Sequence, residues 1–372
     1  MTRVTERPST QSYAERLLRD LPAVAPDGGA AILAAALSGP TATRALASWL
    51  RGLRRPPRRF GLFGGGTAER LLTLRIAATS WPRLAEPLAE QRDLLVAQAA
   101  ALTWRDEQVG WPDYDLISGP GGVLLAMAAD PGIDAVGRAP LAAHLMRLCG
   151  GADLSRLRVG PHQADERRAW NIGRINLGLA HGLPGILTAL RAAAEVDGLT
   201  GEAAEVLRRL ADRMVAECYL DDRGVFSWPP GTGALHGQRP LQAWCYGCPS
   251  NAWVLWETAR VLDDAGLAAF ALEAAASFVT AYDDDLDLRD LAICHGAAGL
   301  LLIFDAFSRF TPLPGAAALA THLQDHLLDR PDEIAALAAT DWSLMNGASG
   351  VLAALLTVEG GNRRWLAALG LR

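Results

Sequence analysis

Cys245, Cys294 and His295, together with His181, are the residues of this chain whose types and placement suit metal and thiol chemistry. Each stands one or two places before a glycine that recurs along the chain within a common pattern. Two thiolates and one imidazole are a standard donor set for a catalytic zinc that keeps its fourth position open. Such a site activates either water or an incoming thiol, which it holds deprotonated at neutral pH. Two protein thiolates already neutralise the ion, so the site is a weaker acid toward water and favours a third sulfur. The same residues admit two other readings. Cys245 and Cys248 form a C-x-x-C pair, although its redox version usually accompanies a βαβ pattern that this chain lacks. Cys245, Cys248, Cys294 and His295 would also complete a closed structural zinc site.

Residues this far apart meet only if the elements that carry them are arranged to converge. One short pattern recurs in five clear copies: Leu116-Ile-Ser-Gly119-Pro-Gly-Gly122, Leu179-Ala-His-Gly182-Leu-Pro-Gly185, Trp244-Cys-Tyr-Gly247-Cys-Pro-Ser250, Ile293-Cys-His-Gly296-Ala-Ala-Gly299 and Leu344-Met-Asn-Gly347-Ala-Ser-Gly350. Successive first glycines are separated by 63, 65, 49 and 51 residues. Weaker copies near Gly28 and at Gly64 bring the count to seven. A unit of this length holds two helices and their connections, and each hairpin must bury its apolar face against the next. Glu202 to Glu217, Ala252 to Asp264 and Ala268 to Tyr282 space apolar residues by three and four, as amphipathic helices do. Alternating runs of Val, Ile and Thr are nearly absent, so the fold class is all-α. If the hairpins close in a circle, their glycine-rich turns gather at one end, and a site forms there.

Half of the 372 residues are hydrophobic, enough for a substantial core in one large domain or two ordinary ones. The formal net charge of -6 offers no broad field for a nucleic acid, and all 35 basic side chains are Arg. Met1 to Asp20 lacks the apolar core of a secretory signal, and no apolar stretch reaches the roughly 20 residues of a membrane span. An intracellular protein without a disulfide framework is therefore expected, its odd five cysteines being thiols or metal ligands. Cys149 and Cys218 read as core thiols within helical stretches. His144, His236, His322 and His326 read as surface or satisfied structural residues. The run Arg51, Arg54, Arg55, Arg58 and Arg59, broken by Pro56 and Pro57, reads as a solvated connection, with docking of an acidic peptide or partner as the alternative. Asp283 to Asp285, Asp287 and Asp290 read as a solvated loop.

Ala180-His-Gly182, Trp244-Cys-Tyr-Gly247 and Cys294-His-Gly296, in this order and on this repeat, resemble the signature of the LanC lanthionine cyclases and their LanC-like relatives. The resemblance runs from about Asp115 to Leu356. It implies a single domain over residues 1–372, an α/α toroid of seven inner and seven outer helices, with zinc bound by Cys245, Cys294 and His295. It also implies the reaction. A partner dehydratase converts Ser and Thr of a precursor peptide to dehydroalanine and dehydrobutyrine, and the cyclase adds Cys thiols to them, closing thioether rings. By the same resemblance His181 is the general acid that protonates the α-carbon. Asp115 would orient that histidine or the substrate, and Tyr246 stands beside the metal; a satisfied core Asp and a packed Tyr are the competing readings. The implied partners are a dehydrated precursor peptide with a leader segment, the dehydratase and a transporter complex. The implied place is the cytoplasm, peripheral association with a membrane-bound biosynthetic complex included. Two departures stand out. The family usually has Arg four residues before the cysteine of WCYG and Gly at the end of WCYGxPG, where this chain has Leu241 and Ser250, with Arg239 as the nearest substitute cation. Two other functions fit the same motifs: addition of a free thiol such as glutathione to dehydrated residues, and a non-catalytic zinc-stabilised scaffold for a dehydratase or peptide complex.

Overall fold

A computed structural model of the chain describes residues 9–57, 59–163, 169–233 and 240–372. Its α-helices are, in chain order, α1 (Thr10–Leu17), α2 (Gly29–Ala36), α3 (Gly39–Leu53), α4 (Thr67–Ala78), α5 (Ala85–Ala101), α6 (Pro120–Ala128), α7 (Ala135–Leu148), α8 (Leu183–Asp197), α9 (Gly201–Ala216), α10 (Cys248–Leu262), α11 (Ala265–Ala281), α12 (Asp284–Asp287), α13 (Ala297–Phe310), α14 (Ala316–Leu328), α15 (Pro331–Thr340) and α16 (Ala348–Val358). Among the described residues the only ladder between named strands is a two-residue antiparallel pair, β1 (Tyr219–Leu220) with β2 (Phe226–Ser227).

Seven helices, α2, α4, α6, α8, α10, α13 and α16, each begin directly after a glycine: Gly28, Gly66, Gly119, Gly182, Gly247, Gly296 and Gly347. They pack side by side in that order, and α16 packs on α2, so the ring closes. Outside it, α3, α5, α7, α9, α11 and α14 each lie on the inner helix that precedes them, while α15 and α1 share the seventh outer place against α16. The composition of the two rings explains which is which. Every residue from Pro120 to Met127, from Leu183 to Arg191 and from Ala297 to Phe307 is buried, whereas outer α11 buries only the stripe Ala271, Ala274, Ala275 and Phe278. The 3-10 segment Arg364–Leu369 packs against α4 and α6, and the Leu369 and Gly370 carbonyls accept hydrogen bonds from the Trp244 and Trp253 indoles, 3.0 Å each.

The expected second repeat glycine shifts from Gly64 to Gly66. Gly64 and Gly65 sit at positive φ within the preceding turn, and Gly66 is where the chain enters α4. The later glycine of each repeat has a packing reason. A Cβ at Gly122, Gly299 or Gly350 would lie 1.9–2.0 Å from the carbonyl oxygen of Leu116, Ile293 or Leu344. The fifth turn departs from the others: Gly247 takes φ +96 where Gly182 and Gly296 are extended, and Ser250, fully buried, turns its hydroxyl to the Gly247 carbonyl.

Main-chain hydrogen bonds tie neighbouring turns together around the ring. Leu116 N donates to Ala180 O, Ala180 N to Cys245 O, Cys245 N to Cys294 O, and Cys294 N to Met345 O, over 3.0–3.4 Å. Leu62 N and Phe63 N donate to Ile117 O. The remaining junctions use carboxylates instead. Asp27 accepts from Gly29 N and Leu344 N, and Glu69 bridges Gly28 N and Gly65 N.

Candidate metal centre and its cavity

The ladder places the −2 residues of adjacent turns next to each other, and this is why Cys245 and Cys294 meet across 49 residues of sequence. The donor atoms of Cys245, Cys294 and His295 lie within 4.8 Å of one another. Cys294 Sγ is 3.7 Å from His295 Nε2, close to the about 3.6 Å edge of a tetrahedron built on ordinary zinc–sulfur and zinc–nitrogen bonds. The thiols are not equivalent. A hydrogen bond from Cys245 brings the Cys294 thiol down to about 5, helped by His295, against the cost of burial. Cys245, the donor of that bond and buried, is pushed well above the usual thiol range, and its contact with Cys294 raises His295. These contacts shift Cys294 toward its thiolate and His295 toward its charged form, and a divalent cation held by the three groups would displace the remaining protons. Two sulfurs and one imidazole nitrogen, with Cys245 buried and Cys294 and His295 half-buried, fit a zinc ion.

Cys248 does not compete for that ion. It is the first residue of α10, fully buried, and its Sγ contacts the Ala274 carbonyl of α11 at 3.1 Å. This removes the closed four-ligand reading, because its sulfur is turned onto α11 and stands apart from the cluster of Cys245, Cys294 and His295. Cys149 and Cys218 are, as expected, remote thiols, raised to about 12 chiefly by burial, although Cys218 falls just past the end of α9 and is only half-buried.

His181 lies in the third turn of the ladder. Its Nδ1 is 2.7 Å from Oδ2 of Asp115, which is inaccessible to solvent. The other carboxylate oxygen accepts from Ser118 N and Gly119 N at 2.8 and 2.7 Å, so Asp115 both braces its own turn and fixes the histidine. With a carboxylate on Nδ1, the neutral ring carries its proton there and leaves Nε2 to exchange protons. Trp111 stacks on the imidazole, ring centroids 4.1 Å apart and 13° from parallel, and sets the ring's tilt. The Tyr246 hydroxyl accepts from Asn176 Nδ2 at 2.7 Å, keeping its own proton available, and burial raises it above the usual phenol range.

These groups line one cavity of about 340 Å³, walled by Asp27, Arg59, His181, Cys245, Tyr246, Cys294 and His295 together with apolar and small residues. Leu241, where the family usually has Arg, is half-buried and brings no charge; Arg239 lies outside the described residues, as does His236. The acidic segment is a correction. Asp287 is buried and held by two 2.9 Å hydrogen bonds from Arg223, and Asp284 accepts from His322 and His326, so the segment is clamped rather than a solvated loop. The basic run also starts inside a helix, since Arg51 belongs to α3. His144 meets the Asp113 carbonyl at 2.8 Å, the satisfied role expected of it.

Residues 41–369 match the family model described as lanthionine synthetase C-like protein. The chain belongs to the lanthionine synthetase C-like family. It is 27% identical over 218 residues to nisin biosynthesis protein NisC of Lactococcus lactis subsp. lactis, an alignment that spans 55% of this chain and about half, 51%, of that relative. Among solved structures it resembles one named nisin cyclase, with a TM-score of 0.77, 19% identity and coverage of 97% of this chain and 95% of that one. That likeness shows the α/α-toroid fold.

Sequence reading missed Trp111, Asn176, Asp27 and Glu69. Asn176 had a signal. It stands six residues before Gly182, as Asp290 and Asp341 stand before Gly296 and Gly347, and all three side chains accept from the amide two residues on. Trp111 left no such trace.

Proposed function

We propose that this chain is a zinc-dependent lanthipeptide cyclase, which adds cysteine thiols of a peptide to dehydroalanine or dehydrobutyrine and so forms thioether rings. One observation carries the reading: a Cys2His donor cluster and a histidine braced by a buried carboxylate line a single small cavity. Zinc, when held by Cys245, Cys294 and His295, supplies the Lewis acidity that keeps a cysteine thiol deprotonated and nucleophilic at neutral pH.

The chain's residues account for the remaining steps. The substrate thiolate forms a bond to the β-carbon, and the alkene pair moves toward the α-carbon and the acyl oxygen. His181 Nε2 then delivers a proton to the α-carbon, with Asp115 holding the ring and its tautomer. Tyr246, neutral and anchored by Asn176, is placed to donate its hydroxyl proton to a peptide carbonyl. The Trp111 stack keeps the imidazole from rotating away. The substrate would be a peptide already dehydrated by a separate enzyme, with contact to that dehydratase or a transporter in the cytoplasm as part of the same proposal. The similarity to nisin biosynthesis protein NisC and to nisin cyclase supports the cyclase assignment.

Ring closure leaves the mass of the peptide unchanged, so it is read as loss of alkylatable thiol from a dehydrated, cysteine-containing peptide. Zinc-loaded protein is expected to consume the thiols, and Cys294→Ala to lose both metal and activity. If zinc binds and the thiols stay alkylatable, the protein is a scaffold. If glutathione is added to a dehydrated peptide without cysteine, while the cysteine peptide closes no rings, it is a free-thiol transferase.

A further inference from the structure

Arg59 is the one permanently cationic side chain among the described residues that line the cavity. Its main chain is fixed: the Arg59 carbonyl accepts from Thr67 N at 3.1 Å and Thr67 Oγ1 at 3.3 Å, which pins residue 59 to the start of α4. Its side chain is exposed and has no carboxylate partner among the described residues. Arg70 and Arg51 differ. Arg70 turns back onto the Leu53 and Arg55 carbonyls and Arg51 onto that of Ala23. The guanidinium lies beside Gly64, its Nη1 3.7 Å from where a Cβ would stand.

Among the described residues, no side chain of the cavity forms an ion pair with this guanidinium. Asp27, its one carboxylate, spends both oxygens on Gly29 N and Leu344 N. The position from which the family usually supplies a cation holds Leu241 here. At about 340 Å³ the cavity is near the lower end of the roughly 300–1,000 Å³ typical of small-ligand sites.

We propose that Arg59 is the anion-binding residue of this cavity, supplied from the second repeat turn rather than from the fifth. This rests on the cyclase reading. As the thiolate bonds to the β-carbon, the alkene electron pair is drawn onto the acyl oxygen of the dehydro residue, and the Arg59 guanidinium donates to that oxyanion. When the α-carbon accepts its proton from His181, the pair returns to the carbon, the carbonyl reforms and Arg59 is released. A planar fork of N–H donors suits a charge that exists only during the reaction.

Two measurements test this. Arg59→Gln is expected to lower the ring-closing kcat by about 10²–10³-fold, with Arg59→Lys between it and the wild type. Zinc stoichiometry and Tm should stay unchanged in both variants. The second readout needs no ring chemistry. Calorimetric binding of 3-mercaptopropionate and of 3-mercaptopropionamide to the zinc-loaded protein should favour the charged thiol by about tenfold, a preference absent in Arg59→Gln. Retention of that preference in Arg59→Gln overturns the assignment whatever the ring rate, and so does a ring rate within twofold of wild type. A wild type that closes no rings yet shows an Arg59-dependent preference upholds the anion site while removing the cyclase reading.

Discussion

The ring of turns has two arcs built on the same repeat, and they use their side chains in opposite ways. From Leu116 through Met345 the turns satisfy one another through the main chain, carbonyl to amide, and this leaves His181, Cys245, Cys294 and His295 free to face the cavity. In the arc that closes the ring, Leu344, Gly28 and Gly65 find their acceptors in the carboxylates of Asp27 and Glu69. A buried amide must find an acceptor. Where the backbone supplies it, side chains are available for chemistry; where it does not, they are consumed by structure.

The sharpest break in the comparison comes from the chemical arc. His181→Ala should lower the ring-closing kcat by about 10²–10⁴-fold while zinc content and Tm stay near wild type, because the ladder there does not use the side chain. Asp115→Asn belongs partly to both arcs, since it braces its turn and orients His181. It should lower kcat by about 10–100-fold and also reduce Tm by a few degrees. Loss of metal in His181→Ala would mean that the histidine is a ligand and that the division is wrong.

The closing arc predicts a pH dependence. Burial, then Asp27, raises the Glu69 carboxyl from 4.5 to about 8, and burial raises Asp27 itself from 3.8 to about 6. An acid with a higher pKa in the folded state holds its proton more tightly there. Its contribution is complete below the unfolded value and is lost as pH rises through the folded one. Stability measured by denaturant unfolding should therefore fall between pH 5 and 8, with a slope up to about 1.4 kcal/mol per pH unit for one retained proton. Glu69→Gln, which mimics the protonated form, should cost only about 1 kcal/mol at pH 5 and flatten that slope. An unaltered slope in the variant would place the retained proton elsewhere. The smallest effect is expected at Cys248→Ala, which lies outside both arcs: about 1 kcal/mol of stability, with the zinc stoichiometry unchanged.

Much of the chemical arc was legible because its residues recur at a fixed offset from a glycine, and a repeating backbone converts equal offsets into equal places. That logic extended to the seven hairpins and to the metal cluster, and it weakened at the first two repeats, where Gly66 rather than Gly64 leads into α4. It reached Asp115 and Tyr246 only through resemblance, since neither spacing nor composition separates an orienting carboxylate from a packed one.

The sequence by itself determined which residue types stand before which helices, and so the all-α class, the inner ring and the donors Cys245, Cys294 and His295. These follow from local glycine, Pro and apolar patterns that act within one repeat. Only the tertiary structure decided that Cys248 is excluded from the cluster, that Trp111 and Asp115 hold His181 from different sides, that Asp27 and Glu69 close the ring, and that Arg59 brings the cavity its charge. Each of those is a contact or a shared wall between turns or repeats, set by how the seven hairpins meet, and no spacing along the chain encodes it.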